Sequence, residues 1–229
     1  MKINRYIDHS VLNPAFTNEE VIQYIKEGLK YDVQTVCVRG CDIQLAVEMC
    51  KGTNTNVCCV LDFPHAHGGK EAKAALAEIY CRQGVKEIDM VLNYGYVKSA
   101  AWDRVEEEIK AVCDITHKNG VIVKVIFETS QITLEEVAKA TEVCISANAD
   151  YVKTSTGFNG QGATEEIVNV MLKTANGRIK VKPSGGIRDF ESAKKFIDMG
   201  ADRIGVGCTS TPKLCDNLQD SGENNKDSY

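Results

Sequence analysis

Eight short β-rich runs recur along the chain, each followed by residues of helical periodicity, and this alternation leaves few folds open. The runs span residues 6–9, 35–38, 56–63, 87–92, 121–127, 151–154, 179–183 and 203–206. Between them, residues 18–31 carry Val21, Ile25 and Leu29 four apart, with Thr17 and Glu20 spaced as a capping box. Thr133 and Glu136 repeat that signature ahead of Leu134, Val137, Thr141 and Cys144. Residues 102–119 show Val105, Ile109 and Val112 and stop at Gly120, and residues 71–83 and 164–176 are likewise followed by glycine. Asp189 caps a further helix bearing Ala193, Phe196 and Ile197, which Gly200 terminates.

Runs such as VIVKVIF are almost continuously apolar, as parallel strands covered on both faces should be. The alternation predicts an α/β fold with a parallel sheet. Eight strands, about seven helices and roughly 29 residues per unit favour a single-domain (β/α)8 TIM barrel over residues 1–215. An open doubly wound sheet would want G-x-G-x-x-G after its first strand, where this chain has SVLNPAFTNEE. Beyond Leu214 the pattern dissolves, and residues 216–229 read as a polar tail expected to be disordered.

Composition narrows the function. The net charge of −5 includes −3 from the tail, where four acids face one lysine, so the body has no basic excess for nucleic acid or an anionic membrane. No apolar run approaches the roughly 18–20 residues that cross a bilayer, and MKINRYIDHS lacks a signal-peptide core. A cytoplasmic protein is expected. None of the ten cysteines form C-x-x-C, and most lie in apolar runs such as NVCCVL, so they are read as packing residues in a reducing compartment. Cys37, at the end of the second strand, is read either as packed or as a thiol at the edge of the lumen.

The anomaly is charge inside apolar strands: Asp8, Asp89, Lys124, Lys153 and Lys182. Barrel strands send alternate side chains into the lumen, and active sites gather at strand C-termini. Lysines on three successive strands are hard to dismiss as side chains snorkelling to water, because lysine is seldom buried without a partner. A lysine is a nucleophile only when neutral, so its pKa must fall from about 10.4 toward neutrality. Burial and a second ammonium on the adjacent strand both push that way. The pattern therefore points to Schiff-base chemistry on a carbonyl, with Asp89 relaying protons through a water.

Glycine-rich turns supply a second feature. KTSTGF, KPSGGIRD and RIGVGC follow the sixth, seventh and eighth strands, where backbone N–H groups can cradle phosphate. The residues so assigned are Gly157, Gly185, Gly186, Gly205, Gly207 and Cys208, with Gly207 and Cys208 expected to donate main-chain N–H groups.

Six segments, IDHS, EIDMVLN, KVIFET, ADYVKTSTGF, VKPSGGIRD and GADRIG, run in this order from about Ile7 to Gly205. Together they resemble the deoxyribose-phosphate aldolases, class I aldolases of deoxynucleoside breakdown. The resemblance implies a (β/α)8 barrel, commonly a homodimer, that cleaves a phosphorylated sugar without metal or cofactor. It implies Lys153 as the Schiff-base lysine, Lys182 as the second lysine that depresses its pKa, and Asp89 as the proton-relay aspartate. Asp8 and Lys124 match the supporting polar shell, and Gly157, Gly185 and Gly186 the phosphate loops. The chain departs from the family after its last strand, where Gly205-Val206-Gly207-Cys208 replaces a serine-bearing turn.

Two rival constellations are weaker. His65 and His67 form an H-x-H pair that a metal-dependent lyase or hydrolase could use, but the pair follows the third strand and lacks further strand histidines. A non-catalytic phosphosugar-binding barrel would not need Lys153, Lys182 and Asp89 together.

Overall fold

The computed structural model describes residues 2–216. Its strands are β1 (Ile7–Val11), β2 (Thr35–Val38), β3 (Asn56–Leu61), β4 (Glu87–Val91), β5 (Ile122–Ile126), β6 (Tyr151–Lys153), β7 (Lys180–Lys182) and β8 (Ile204–Gly207). They form one parallel sheet in the order β7-β6-β5-β4-β3-β2-β1-β8. Gly205 N–H donates to Pro183 O at 2.9 Å and Asp202 N–H to Val181 O at 3.0 Å, so β7 meets β8 and the ring closes. The expected barrel is present.

The helices are α1 (Asn18–Lys30), α2 (Ile43–Cys50), α3 (Gly69–Arg82), α4 (Tyr94–Lys98), α5 (Trp102–Lys118), α6 (Leu134–Ser146), α7 (Glu165–Ala175) and α8 (Phe190–Asp198). Both capping boxes form: Thr17 and Thr133 accept from the N–H groups of Glu20 and Glu136, whose carboxylates accept in return. Asp189 caps α8 by accepting from Ser192 N–H at 2.8 Å. Two helices escaped the periodicity. In α2 the apolar residues Ile43, Leu45, Ala46, Val47 and Met49 encircle the helix, so no stripe stands out, and α4 has only five residues. Residues 211–216 are helical, so the helical pattern continues past Leu214. Apart from Asp216, the tail at 216–229 lies outside the described residues.

Strand residues divide by parity. Val36, Val38, Ile88, Met90, Val123, Val125, Val152 and Val181 join the large core packed under the helices. The alternate residues Asp8, Thr35, Cys37, Cys58, Asp89, Lys124, Lys153 and Lys182 face the lumen, equally buried. His9, on the outward face of β1, is clamped by Thr211 Oγ1 at 2.8 Å and Tyr24 O at 2.9 Å. Burial lowers its pKa to about 4. Outside the barrel wall, Lys73 of α3 is fully buried and donates to Glu108 of α5 at 2.7 Å.

Candidate active site

Strand register builds the site. Asp89 lies opposite Lys124, and Lys153 opposite Lys182, on neighbouring strand pairs. Lys153 Nζ and Lys182 Nζ each donate to Asp89 Oδ2 at 2.7 Å, while Lys124 Nζ donates to Asp89 Oδ1 at 2.8 Å. Asp8 takes Lys182, Arg203 and the Thr35 hydroxyl, the last at 2.8 Å. Glu87 forms an ion pair with Lys124 at 2.5 Å and accepts a hydrogen bond from Arg203 at 2.7 Å. The five strand residues singled out from the sequence are thus one connected cluster, and Glu87 and Arg203 complete it.

The charges nearly balance. Four cations, Lys124, Lys153, Lys182 and Arg203, contact three carboxylates, Asp8, Glu87 and Asp89. Burial alone would raise the Asp89 carboxyl, but Lys124, Lys153 and Lys182 outweigh it and hold it well below the usual range. Asp8 is lowered in the same way, against its burial, by Lys124, Lys182 and Arg203. Burial opposes the charged Lys182, yet Asp8 and Asp89 prevail and keep its ammonium more basic than an ordinary lysine. Lys182 therefore stays cationic beside Lys153.

Above this cluster opens a cavity of about 390 Å³. Of the three lumen lysines only Lys153 lines it, at 3% exposure, while Lys124 and Lys182 are sealed beneath. Gly157, Gly185, Gly186, Gly205, Gly207 and Cys208, from three separate turns, all line the same cavity. Gly185 has φ +85° and packs so tightly on Gly162 that a Cβ on either would collide with the other's backbone. Among the described residues the N–H groups of Gly157, Gly185 and Gly186 have no acceptor.

Cys208 differs from expectation. Its N–H is occupied by Ser10 O at 3.0 Å and its side chain is buried, so it is no main-chain phosphate donor. The pairing of β8 with β1 consumes that amide. The next two residues, Thr209 and Ser210, line the cavity as well and carry hydroxyls. Arg188 also lines it and has no carboxylate partner among the described residues. Its position inside KPSGGIRD was the available signal.

Glu128 was missed as well. It is fully buried just past β5, four residues beyond Lys124 and hence of the same lumen parity. Its backbone has φ +54°, a strain of roughly 1–3 kcal/mol for a residue with a Cβ. Thr156, which lines the cavity beside Lys153, donates to its carboxylate through both N–H and Oγ1. Burial raises the Glu128 carboxyl, a shift that the Thr156 bonds partly offset. His65 and His67 stack on each other with centroids 5.5 Å apart, and among the described residues they gather no third metal-binding side chain.

Comparison with known proteins gives the family and the fold. A family model described as DeoC/LacD family aldolase matches residues 3–208. The chain is 43% identical over 206 residues to the deoxyribose-phosphate aldolase of Streptococcus sanguinis, covering 90% of this chain and 93% of that one. Among solved structures it is similar to the aldolase QR15, with TM-score 0.90 and 36% identity over 96% of this chain and 97% of the other. It is also similar to the tetrameric deoxyribose phosphate aldolase of Aeropyrum pernix, with TM-score 0.86 and 26% identity over 95% and 91% of the two chains.

Proposed function

The chain belongs to the DeoC/LacD family of aldolases, and from that premise we propose that it cleaves 2-deoxy-D-ribose 5-phosphate reversibly through a Schiff base on Lys153. The products are acetaldehyde and D-glyceraldehyde 3-phosphate. The observation that carries this reading is one lysine amine at the floor of a glycine-walled cavity, above an otherwise charge-balanced cluster. With Lys153 neutral, three cations meet three carboxylates; with it charged, one buried cation is in excess.

Neutral Lys153 Nζ adds to the open-chain aldehyde carbon, and loss of water gives an iminium. That cation accepts the electron pair of the C2–C3 bond as the 3-hydroxyl loses its proton and glyceraldehyde 3-phosphate departs. The remaining enamine takes a proton at carbon, and water returns to release acetaldehyde and the free amine. Because Asp89 stays ionised, its part in the relay is to anchor Lys153 and Lys182 while the Lys182 ammonium and water carry the proton. The phosphate rests against the N–H groups of Gly157, Gly185 and Gly186 with Gly205 and Gly207 close by, and Arg188 supplies the countercharge. Glu128 holds Thr156 toward the reacting carbons.

The electron sink is organic, so no metal or cofactor is required. Formation of glyceraldehyde 3-phosphate from the phosphorylated sugar in EDTA supports the proposal; loss of turnover in EDTA with recovery in zinc overturns it. No helix among the described residues is long and apolar enough to cross a membrane. The proposed setting is deoxyribonucleotide catabolism in the cytoplasm, with the enzyme as a homodimer, which light scattering on the purified chain would test.

A further inference from the structure

We propose that the lumen also holds an inhibitory metal site, in which a soft divalent cation such as Zn²⁺ or Cd²⁺ is bound by Cys37 Sγ, Cys58 Sγ and a carboxylate oxygen of Asp89. The register of β2 on β3 sets Cys37 opposite Cys58, and the three ligand atoms lie within 4.8 Å of one another. Cys58 Sγ donates to Asp89 Oδ1 at 3.2 Å. Sulfur and oxygen ligands on one tetrahedral zinc stand about 3.5 Å apart, and two sulfurs about 3.8 Å. The Cys58–Asp89 pair is therefore already close to ligand spacing, and Cys37 has to close by at most about 1.3 Å.

Charge does not oppose occupancy. Two protonated thiols and one carboxylate carry −1; a divalent cation with two thiolates and the same carboxylate also carries −1, the two thiol protons leaving to solvent. Asp8, Glu87, Lys182 and Arg203 thus face an unchanged net charge. Lys124 Nζ lies 3.5 Å from Cys58 Sγ, where its ammonium can donate to a thiolate and act as an outer-shell support. Two sulfur ligands select Zn²⁺ or Cd²⁺ over Mg²⁺ or Ca²⁺.

The site also has a way in. Leu12 packs on Cys37, Cys58 and Val60 in a small cluster apart from the main core, and the same Leu12 lines the substrate cavity. Leu12 thus stands between the thiols and the cavity. A divalent cation on Oδ1 would draw negative charge from the Oδ2 that Lys153 and Lys182 share, and so arrest the reaction. That inhibition rests on the aldolase reading; the binding does not.

The test is a titration of the metal-free, full-length chain with Cd²⁺ in thiol-free buffer, read by the ultraviolet sulfur-to-cadmium charge-transfer absorption. Wild type and Cys41→Ser, which removes the exposed thiol, should saturate at one tight equivalent per chain. Cys37→Ser and Cys58→Ser, each folded by circular dichroism, should bind at least tenfold more weakly, and Mg²⁺ should not compete. Inhibition of cleavage should follow the same midpoint and be reversed by EDTA. A band that survives in Cys37→Ser, or disappears in Cys41→Ser, overturns the proposal. A band that behaves as expected in a chain with no cleavage activity leaves the site standing and refutes the aldolase reading instead.

Discussion

The two faces of the same eight strands are equally buried and opposite in character. Along β5, Val123 and Val125 point outward into the helical layer, while Lys124 between them points into the lumen, and all three are fully buried. The outward face gains stability from apolar area removed from water, at about 25 cal/mol per Å². The lumen gains little of this, since taking charges out of water costs about as much as their pairing returns. What the lumen obtains is an ammonium, Lys182, and an ionised carboxylate, Asp89, held beside an amine that reaches a cavity. The outer face keeps the barrel together, and the inner face makes it reactive.

Substitutions on the two faces should separate these roles. The largest effect is expected for Lys153→Arg, which keeps a cation beside Asp89 but cannot form an imine. Cleavage should fall at least about a thousandfold with melting temperature nearly unchanged. Residual turnover within tenfold of wild type would place the nucleophile elsewhere.

Next in size is Asp89→Asn, which leaves Lys153, Lys182 and Lys124 sharing a neutral partner. Urea denaturation should show a loss of about 3–5 kcal/mol along with the activity, as when one member of a buried ionic group is removed. Val125→Ala, on the outer face, should cost roughly 2 kcal/mol and leave kcat within about twofold. Equal loss of kcat in both variants would erase the distinction between the faces.

Acid offers a smaller, reversible perturbation. His9 sits on the outer face with its pKa lowered by burial from 6.5 to about 4. A base whose folded pKa is depressed favours unfolding when protonated. Its contribution is complete above pH 6.5 and is lost as pH falls through 4, about 3 kcal/mol in all. Stability measured from pH 7 to pH 4 should decline accordingly, and His9→Gln should flatten the decline. A wild-type stability constant across that window would contradict the assignment.

The smallest effect concerns the turn after β8. A Cβ added at Gly207 meets nothing within 4 Å, so Gly207→Ser should introduce a hydroxyl without backbone strain. Because Arg188, Thr209 and Ser210 already line the cavity, KM should fall only about two- to threefold with kcat unchanged, as uniform binding predicts. A change confined to kcat would mean that the turn does not hold phosphate.

Much of this was legible because the signals were local. Lys124 within VIVKVIF and Asp89 within EIDMVLN break strongly apolar runs, and strand alternation fixes which way they point. Glu87 and Arg203 escaped notice because they sit where strands begin, a place where charge is ordinary, and only closure of the barrel brings them to Lys124 and Asp8. Nothing in AKAALAEI marks Lys73 as buried, and only the packing of α3 on α5 sets it against Glu108. The fate of the Cys208 amide depends on its pairing with Ser10, almost two hundred residues earlier, which no local pattern announces. Composition and spacing reveal which residues are out of place, whereas the ring decides what they meet.

The central claim is that Lys153, alone among the buried lysines of the lumen, forms the covalent intermediate. It is tested most directly by adding borohydride to the enzyme with 2-deoxy-D-ribose 5-phosphate and mapping the reduced adduct by mass spectrometry of proteolytic peptides. The expected result is one stable secondary amine, on Lys153, absent from Lys153→Arg. An adduct on Lys124 or Lys182, or turnover without any trapped adduct, would contradict it.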